Sequence, residues 1–293
     1  MGNSSGESPR GRYHHNIMAS PTPTRMLELA RRLATQAAEI ALRDVGKPAI
    51  RYKPDKSVVT ETDSAIQAMI LDALADIYPD HAVIAEEVVT QSERHADRRD
   101  ARFCWVIDPL DGTRNYVAGI PCFCTSIAVL DRGMPVVGVV AEHNVGNVYH
   151  ATATGGAFLD DRPISASRSI SGRDQLVGIP SDKSPLTVAV LGKWITVPGL
   201  VTRNFGSIAL HLAMVASGAL DAALSVKGRI WDIAAGALII TEAGGCHTDV
   251  RNQSPFPFGP GACPDDPLPV LAGCPDMHEK LLGSINEATR GDA

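Results

Sequence analysis

The stretch that decides the fold and chemistry of this chain is Trp105-Val-Ile-Asp108-Pro109-Leu110-Asp111-Gly112-Thr113-Arg114-Asn115-Tyr116. Aromatic and β-branched residues from Phe103 to Ile107 predict a short buried strand. Asp108-Pro109 is expected to end that strand, because proline cannot donate to a β-ladder. A proline-led tight turn would then hold the carboxylates of Asp108 and Asp111 close together.

This turn has the chemical features of a site for a metal ion and a phosphate. Two neighbouring carboxylates repel each other when both are ionised, so their closeness favours a divalent cation between them. A helix or turn that begins at Gly112 and Thr113 would present free backbone N–H groups and a hydroxyl, which suit a phosphate. Carboxylates, metal and phosphate together indicate phosphoryl chemistry.

Length and composition indicate an ordinary globular protein. The 293 residues are enough for two domains or one elaborated domain, and 44% are hydrophobic and 20% charged. The 27 basic and 33 acidic residues give a formal charge of −6, with no block of like charge. This pattern favours neither a nucleic-acid polymer nor a membrane surface as partner. No apolar run is long enough to span a bilayer.

The six cysteines lack CxxC spacing, and several lie in strand-like apolar runs. They are expected to be reduced, which favours the cytoplasm. Cys122-Phe-Cys124 could form a metal or redox pair, but alternate residues of a strand simply share one face. We therefore predict that these two cysteines are core residues.

The first half of the chain predicts a disordered extension and an α+β domain. Residues 1–24 are rich in Ser, Gly, Pro and Arg without hydrophobic periodicity, so we expect disorder. An amphipathic helix should follow to about Arg43. A second helix should carry an apolar face between Ala65 and Leu74, capped by Thr62 or Asp63. On this pattern alone Asp63 is an N-cap.

The remaining signals between residues 25 and 163 predict a sheet. Ala82–Ala85 is a short strand candidate that ends in Glu86-Glu87, and residues 91–102 form a charged loop that could cover a site. Apolar runs at residues 123–130, 136–141 and 148–152 are separated by turn signals. They predict an antiparallel sheet with helices on one face.

The second half, residues 164–293, predicts an α/β domain. Helices are expected at residues 207–217, 232–243 and 277–285, and strands at 221–226 and 270–272. Asp232 lies where its helix should begin, so a capping role would explain it without any function. Strands that alternate with helices favour an α/β layer.

Each acid has a structural explanation when taken alone, but together they follow a known order. The chain resembles the inositol monophosphatase family, within the metal-dependent, lithium-sensitive phosphatase superfamily. The resemblance is carried by Ile107-Asp-Pro-Leu-Asp-Gly-Thr-Arg-Asn-Tyr116, by Trp231-Asp-Ile-Ala-Ala-Gly236 with Glu242-Ala-Gly-Gly245, and by Glu86-Glu87 upstream. Val59-Thr-Glu-Thr-Asp63 and Phe205-Gly-Ser207 add weaker matches.

The resemblance implies a layered αβαβα sandwich, a homodimer, and hydrolysis of a small phosphorylated metabolite by in-line attack of a metal-activated water. It assigns metal binding to Glu86, Asp108, Asp111, Asp232 and the carbonyl of Leu110. Asp63 and Thr113 match the pair that positions and deprotonates the water, and Glu87 matches a residue of a further, weaker metal. The amides of Gly112 and Thr113 would grip the phosphate. Ligands that offer only oxygen suit Mg²⁺, as two or three ions.

Departures from the family pattern concern the substrate. Ser225 stands where inositol phosphatases of this family carry a glutamate, and Gly206, Ser207 and Ile208 are expected to shape a different sugar pocket. A small polyol phosphate, inositol monophosphate first, is the expected substrate. The alternatives are a 3′(2′),5′-bisphosphate nucleotidase, a histidinol-phosphatase, and a non-catalytic phosphate-binding regulator, which the retained Asp63 and Thr113 disfavour.

Overall fold

The computed structural model describes residues 21–52, 58–87, 101–166, 173–259 and 261–290. Residues 1–20 of the predicted disordered extension and residues 91–100 of the predicted charged loop lie outside these ranges. The boundary at residue 24 is wrong. The first helix begins at Pro23, because the Thr22 hydroxyl caps it and proline is well accommodated in a first helical turn.

The described ranges contain seven helices and fourteen strands. The helices are α1 Pro23–Ala41, α2 Glu61–Ile77, α3 Thr113–Ala118, α4 Pro185–Trp194, α5 Ile208–Ala216, α6 Ile230–Glu242 and α7 Pro275–Arg290. The first nine strands are β1 Ile50–Tyr52, β2 Val58–Thr60, β3 Ala82–Ala85, β4 Phe103–Asp111, β5 Cys124–Asp131, β6 Met134–Glu142, β7 Asn147–Thr152, β8 Gly156–Leu159 and β9 Arg162–Pro163. The others are β10 Gln175–Gly178, β11 Leu200–Arg203, β12 Ala222–Ser225, β13 Cys246–Thr248 and β14 Val270–Gly273.

Two sheets form the β layers. The larger has seven strands in the order β3-β4-β5-β6-β7-β8-β9 and is antiparallel except for the β3–β4 pair. The smaller has the order β11-β10-β12-β14-β13, in which β10 runs parallel to both β11 and β12. The predicted antiparallel sheet and α/β layer are therefore confirmed. Strands β10 and β11 and helix α4 were not predicted, because their short or uniformly apolar segments lack a clear period.

Helices cover both faces of the large sheet, and the two long helices of the first half lie on one of them, as predicted. α1 and α2 pack on one face, while α5 and α6 lie between the two sheets. α4 and α7 cover the outer face of the small sheet around Trp194 and Met277. The order of layers is αβαβα, because each amphipathic or apolar surface is buried against the next layer. No helix among the described residues is long and apolar enough to cross a membrane.

A glycine sets the closest contact between the large sheet and α6. A Cβ atom at Gly138 would lie 2.7 Å from the Ala235 carbonyl oxygen and 3.1 Å from its Cα. We expect Gly138→Ala to destabilise the fold by about 1–3 kcal/mol, because backbone atoms cannot move aside cheaply. Gly192→Ala in α4, where a Cβ meets nothing within 4 Å, is the matched control. The control should be neutral or stabilising in thermal unfolding. Equal unfolding midpoints for the two variants would contradict this packing.

Candidate active site

The loop that carries the first two acids is a bulged strand and not a turn. β4 continues through Pro109 to Asp111, and its register against β5 shifts between Asp108 and Asp111. The prediction that proline ends the strand after Ile107 is therefore wrong. β3 pairs with β4 only as far as Ile107, so beyond that point one edge of β4 has no ladder that proline could interrupt. The bulge turns Asp108 and Asp111 toward one site.

Asp63 and Asp232 reach the same region from the first turns of two helices. Thr60 caps α2, and its N–H donates to Asp63 Oδ2 over 2.9 Å, so the prediction that Thr62 or Asp63 is the N-cap is wrong. Likewise α6 begins at Ile230, and the Arg229 N–H donates to Asp232 Oδ2 over 2.7 Å. Each acid occupies the third helical position, where a carboxylate is stabilised by the free N–H groups of the helix start.

Asp108, which is buried, and Asp111 and Asp232, which are half-buried, form one cluster. Each offers a carboxylate oxygen within 4.8 Å of the others. Burial raises the pKa of Asp108 and of Asp232 well above the ordinary value, and the charges of neighbouring acids raise both further. Burial also raises the pKa of Asp111 to about 6, although bonds from Ser207 and Ala209 oppose the shift. Such a cluster is electrostatically costly unless a cation neutralises it.

Glu86 and Glu87 lie at the end of β3 beside this cluster. The Glu86 N–H donates to the Ile107 carbonyl over 3.1 Å, which fixes the end of β3 against β4. The Glu86 charge contributes to the raised pKa values of Asp63, Asp108, Asp111 and Asp232. The Glu87 N–H donates to Gln67 Oε1 over 3.0 Å, which ties it to α2. The structure thus brings the predicted acids together from four separate segments.

Thr113 joins Asp63 to the carbonyl of Leu110. Its hydroxyl lies 3.3 Å from Asp63 Oδ1 and 3.0 Å from the Leu110 oxygen, and it can donate its single proton to either. Burial raises the pKa of Asp63 to about 6, although bonds from Thr60 oppose the shift. Such a carboxylate is ionised at neutral pH and more basic than an exposed one. It is suited to accept a proton passed through Thr113.

Gly112 allows the chain to turn sharply between the acids and α3. Its φ is 90°, and a Cβ there would lie 2.7 Å from the Cys122 carbonyl oxygen. Only glycine combines this conformation with this close approach. The Gly112 N–H also interacts with the Asp111 carboxylate, so part of its bonding capacity is directed to that acid.

Ser207, predicted to shape the sugar pocket, holds Asp111. Its hydroxyl donates to Asp111 Oδ2 over 2.7 Å, and the Ala209 N–H donates to the same oxygen over 2.7 Å. The hydroxyl also accepts the Leu210 N–H and so caps α5. Asn115 connects the same loop to α3, since its amide donates to the carbonyls of Cys122 and Phe205 over 2.7 and 2.6 Å. These bonds fix the second half of the chain against the acids of the first.

A pocket of about 180 Å³ opens beside Asp111. Its walls come from the segments that follow β10, β11 and β12. Because these three strands are parallel neighbours, their carboxyl ends meet at one edge of the small sheet, where α/β proteins commonly bind ligands. Gly206, Ser207, Ile208 and Ser225 all line it, as does Lys227, which sequence reasoning did not single out.

Thr125 is a second residue that sequence reasoning missed. Its hydroxyl donates to the Pro109 carbonyl over 2.7 Å and lies 3.0 Å from His143 Nε2, from which it can accept. A buried hydroxyl inside the apolar strand that follows the acidic motif was the available signal. It gives the bulged proline segment a hydrogen-bond partner that the ladder does not supply.

Replacing Thr125 tests this support of the bulge. Thr125→Val should lower stability by about 1–3 kcal/mol, because it leaves buried polar groups of Pro109 and His143 without their partner. If the cluster holds a metal ion, the substitution should also weaken its binding, since Pro109 lies between Asp108 and Asp111. Thr125→Ser keeps the hydroxyl and is the control. Thermal unfolding and Mg²⁺ calorimetry measure both effects, and identical behaviour of the two variants would contradict the role.

The donor set of this site fits a hard divalent cation. Among the described residues, carboxylate oxygens of Asp108, Asp111 and Asp232 converge, and no histidine or cysteine belongs to that group. Mg²⁺ prefers carboxylate, carbonyl and water oxygens. Buried acids with raised pKa values are also what a cation would stabilise in ionised form. The site can therefore hold a metal ion. The Glu86 charge acts on all three acids, and the Leu110 carbonyl belongs to the bulge between Asp108 and Asp111.

Known proteins are similar to this chain over most of its length. The model of the inositol monophosphatase family matches residues 22–290. The chain is 33% identical over 279 residues to the chloroplastic phosphatase IMPL1 of Arabidopsis thaliana. The alignment covers 92% of this chain and 72% of that protein. It is 32% identical over 268 residues to the Nus factor SuhB of Salmonella typhimurium. That alignment covers 89% of this chain and 98% of the relative.

Solved structures agree with the fold. The inositol monophosphatase of Thermotoga maritima superposes with a TM-score of 0.77 at 27% identity, over 92% of this chain and 100% of that one. The suhB protein of Bartonella henselae superposes with a TM-score of 0.76 at 26% identity, over 89% and 98%. Sequence motifs, family model and layered fold lead to one conclusion: the chain belongs to the inositol monophosphatase family.

Proposed function

We propose that this protein is a Mg²⁺-dependent phosphomonoesterase that hydrolyses a small polyol phosphate, with inositol monophosphate as the first candidate. The observation that carries this proposal is the convergence of Asp108, Asp111 and Asp232 next to the Asp63–Thr113 pair. A protein that only bound a phosphorylated ligand would not need a buried base joined to a hydroxyl at the metal site. Family membership supports phosphatase activity in general.

The residues of the chain divide the chemistry among them. Asp108, Asp111, Asp232, Glu86 and the Leu110 carbonyl would hold the metal ions, and Glu87 would contribute to a further, weaker site. Bound Mg²⁺ would neutralise the phosphate charge, lower the pKa of a nucleophilic water and stabilise the leaving alkoxide. Thr113 Oγ1 would accept the proton of the attacking water while its own proton passes to Asp63. The amides of Gly112 and Thr113 would orient the phosphate.

A phosphate-release panel tests the proposal. Purified protein with Mg²⁺ is assayed on inositol 1-phosphate, adenosine 3′,5′-bisphosphate, histidinol phosphate and fructose 1,6-bisphosphate, and kcat/KM is compared. We expect Mg²⁺-dependent release, lost in EDTA, with polyol or sugar phosphates preferred. Preference for the nucleotide or for histidinol phosphate would move the assignment to those alternatives.

A non-catalytic role is the second candidate, because one relative bears the name Nus factor. If the metal-loaded protein releases phosphate from no member of the panel, this regulatory reading replaces the enzymatic one. Li⁺ provides an independent check. We expect Li⁺ to inhibit turnover by competing at a metal position. The measurement is a decrease in the rate of phosphate release that added Mg²⁺ reverses. An insensitive phosphatase would contradict the proposed second metal site.

We also propose a homodimer that acts on a small metabolite in the cytoplasm. The six cysteines are all free, which agrees with a reducing compartment. Light scattering of the purified chain measures the oligomeric state directly, and a monomer would overturn the dimer.

A further inference from the structure

A buried histidine, His143, follows β6 directly and is linked by hydrogen bonds to the bulge that carries the candidate metal ligands. It is only 2% exposed, and its ring lies against that of Phe123, with ring centres 5.8 Å apart. Burial lowers the pKa of His143 to about 4, so the ring is neutral at pH 7. A neutral imidazole has one N–H and one bare nitrogen, and the bonds around the ring decide which nitrogen carries the proton.

The bonds of Thr125 place the proton of His143 on Nε2. The Thr125 hydroxyl has one proton, and its two neighbours are the Pro109 carbonyl oxygen at 2.7 Å and His143 Nε2 at 3.0 Å. The carbonyl can only accept, so the hydroxyl donates to Pro109 and accepts from His143. The other ring nitrogen, Nδ1, is then bare, and it is buried without a hydrogen-bond partner among the described residues.

The opposite tautomer would satisfy fewer groups. A proton on Nδ1 would have no acceptor, and a bare Nε2 would compete with the Pro109 carbonyl for the single hydroxyl proton of Thr125. One buried acceptor would then lose its bond, which is unfavourable where water cannot replace it. Thr125 is fully buried. As a donor, His143 therefore keeps the Thr125 hydroxyl directed at Pro109.

The bond to Pro109 controls a peptide unit that also contacts Asp108. The Pro109 carbonyl and the Leu110 N–H belong to one planar peptide unit, here called the bulge peptide, in which they point in opposite directions. Thr125 holds the carbonyl, and the N–H donates to Asp108 Oδ1 over 3.0 Å. The bulge peptide lies where the register of β4 against β5 shifts. The Thr125 hydroxyl thus anchors a unit that the regular ladder does not hold.

These groups form one chain of hydrogen bonds that ends at a carboxylate. His143 donates to Thr125, and Thr125 donates to the carbonyl of the bulge peptide. The N–H of the same peptide donates to Asp108. Every donor points toward Asp108, and hydrogen bonds arranged in this sense polarise and strengthen one another. All members of the chain are buried, so water does not compete for these bonds.

We propose that His143 is a positioning residue that holds the Asp108 carboxylate in the orientation for a metal ion. It acts through Thr125 and the bulge peptide and has no contact with the metal ion or the substrate. This inference rests on the proposed function, because it takes Asp108 as a metal ligand. What His143 contributes is the direction of one hydroxyl proton, which fixes the bulge peptide and with it Asp108 Oδ1.

Mg²⁺ calorimetry on variants of His143 tests the proposal without a substrate. Loss of a group that bonds a metal ligand directly lowers metal affinity by about 10–100-fold. His143 is two bonds farther away, so we expect His143→Leu, which has no donor, to lower Mg²⁺ affinity about three- to tenfold. His143→Gln can place an amide N–H near the position of Nε2, and it should restore most of the affinity.

His150→Leu is the matched control. His150 is also a buried histidine, but it lies on β7, three strands from β4 in the same sheet, and bonds the Asp160 carbonyl. Its loss should leave Mg²⁺ affinity unchanged. An equal loss of affinity in His150→Leu would reduce the effect to general packing and overturn the proposal. Wild-type affinity in His143→Leu would overturn it as well.

A double variant shows whether the effect passes through Thr125. Thr125→Val already breaks the chain of hydrogen bonds, so adding His143→Leu should not lower Mg²⁺ affinity further. If the second substitution causes the same loss in both backgrounds, His143 acts by another route and the proposal is wrong.

Nitrogen-15 NMR of the histidine side chains checks the tautomer in the metal-free wild type. We expect His143 to be neutral at pH 7 with its proton on Nε2, and its signals are identified by their absence from the spectrum of His143→Gln. A proton on Nδ1 would remove the donor to Thr125 and contradict the proposal, whatever the stability of the other variants.

This proposal and the phosphatase proposal can fail separately. If Mg²⁺ affinity depends on His143 as expected but no phosphate is released from any substrate, the phosphatase proposal fails and the role of His143 stands. Phosphate release with a Mg²⁺ affinity that does not depend on His143 gives the reverse result. A wild-type protein that binds no Mg²⁺ would overturn both.

Discussion

Asp108→Asn is expected to abolish turnover and yet to make the metal-free protein more stable than the wild type. Asp108 is buried and faces the charges of Glu86, Asp111 and Asp232, which together with burial hold its pKa far above the ordinary value. A neutral asparagine removes this repulsion, and its carbonyl oxygen can still accept the Leu110 N–H that Asp108 Oδ1 accepts over 3.0 Å. The unfolding temperature in EDTA should therefore rise.

The same substitution should remove the stabilisation that Mg²⁺ gives. A ligand present at a hundred times its Kd stabilises a folded protein by about 2.7 kcal/mol, and the variant should lack this shift. We expect kcat to fall by about a thousandfold or more, because the site loses a charge that balances the metal ion. Asp221→Asn is the control. That buried acid binds Arg173 and the Leu176 N–H, so its loss should destabilise the fold and leave the Mg²⁺ shift intact. Undiminished Mg²⁺ affinity in Asp108→Asn would exclude Asp108 as a ligand.

Asp63→Asn should reduce kcat by about 10²–10⁴-fold while leaving Mg²⁺ affinity close to that of the wild type. In the wild type the Thr60 N–H and hydroxyl donate to Asp63 Oδ2 over 2.9 and 2.5 Å. The asparagine oxygen can still accept both bonds, so the start of α2 should persist. What the variant loses is the carboxylate that, in the proposed mechanism, takes the proton from Thr113. Steady-state kinetics and Mg²⁺ calorimetry on one preparation separate the two effects.

Variants of Thr113 show whether the two residues act as a unit. Thr113→Val removes the hydroxyl and should match Asp63→Asn in kcat, whereas Thr113→Ser should retain most activity. The double variant Asp63→Asn with Thr113→Val should be hardly slower than either single one, because each already breaks the proton path. If Asp63→Asn keeps kcat within twofold of the wild type, Asp63 serves only to cap α2.

Local sequence signals were enough to find the strand at residues 103–107, the paired carboxylates of Asp108 and Asp111, and the small residue before α3, whereas Asp63 and Asp232 were joined to them only by the resemblance to the family. They were not enough to define the exact geometry. Pro109 was expected to end β4, but the strand continues because β3 leaves that edge unpaired beyond Ile107. Asp63 was taken for an N-cap, but the N-cap is Thr60, three positions earlier.

The sequence by itself pointed to the candidate acids and to the strand that leads into Pro109, because strand propensity, helix starts and motif spacing act over a few residues. Only the tertiary structure decided that acids from four segments meet, that Ser207 holds Asp111 and that Lys227 enters the same pocket. Those contacts depend on the pairing of β4 with β5 and of β10 with its two parallel neighbours, and on the packing of α5 and α6 between the sheets. Long-range pairing and layer packing leave no local pattern, so residues 96 positions apart, such as Asp111 and Ser207, cannot be joined from the sequence alone.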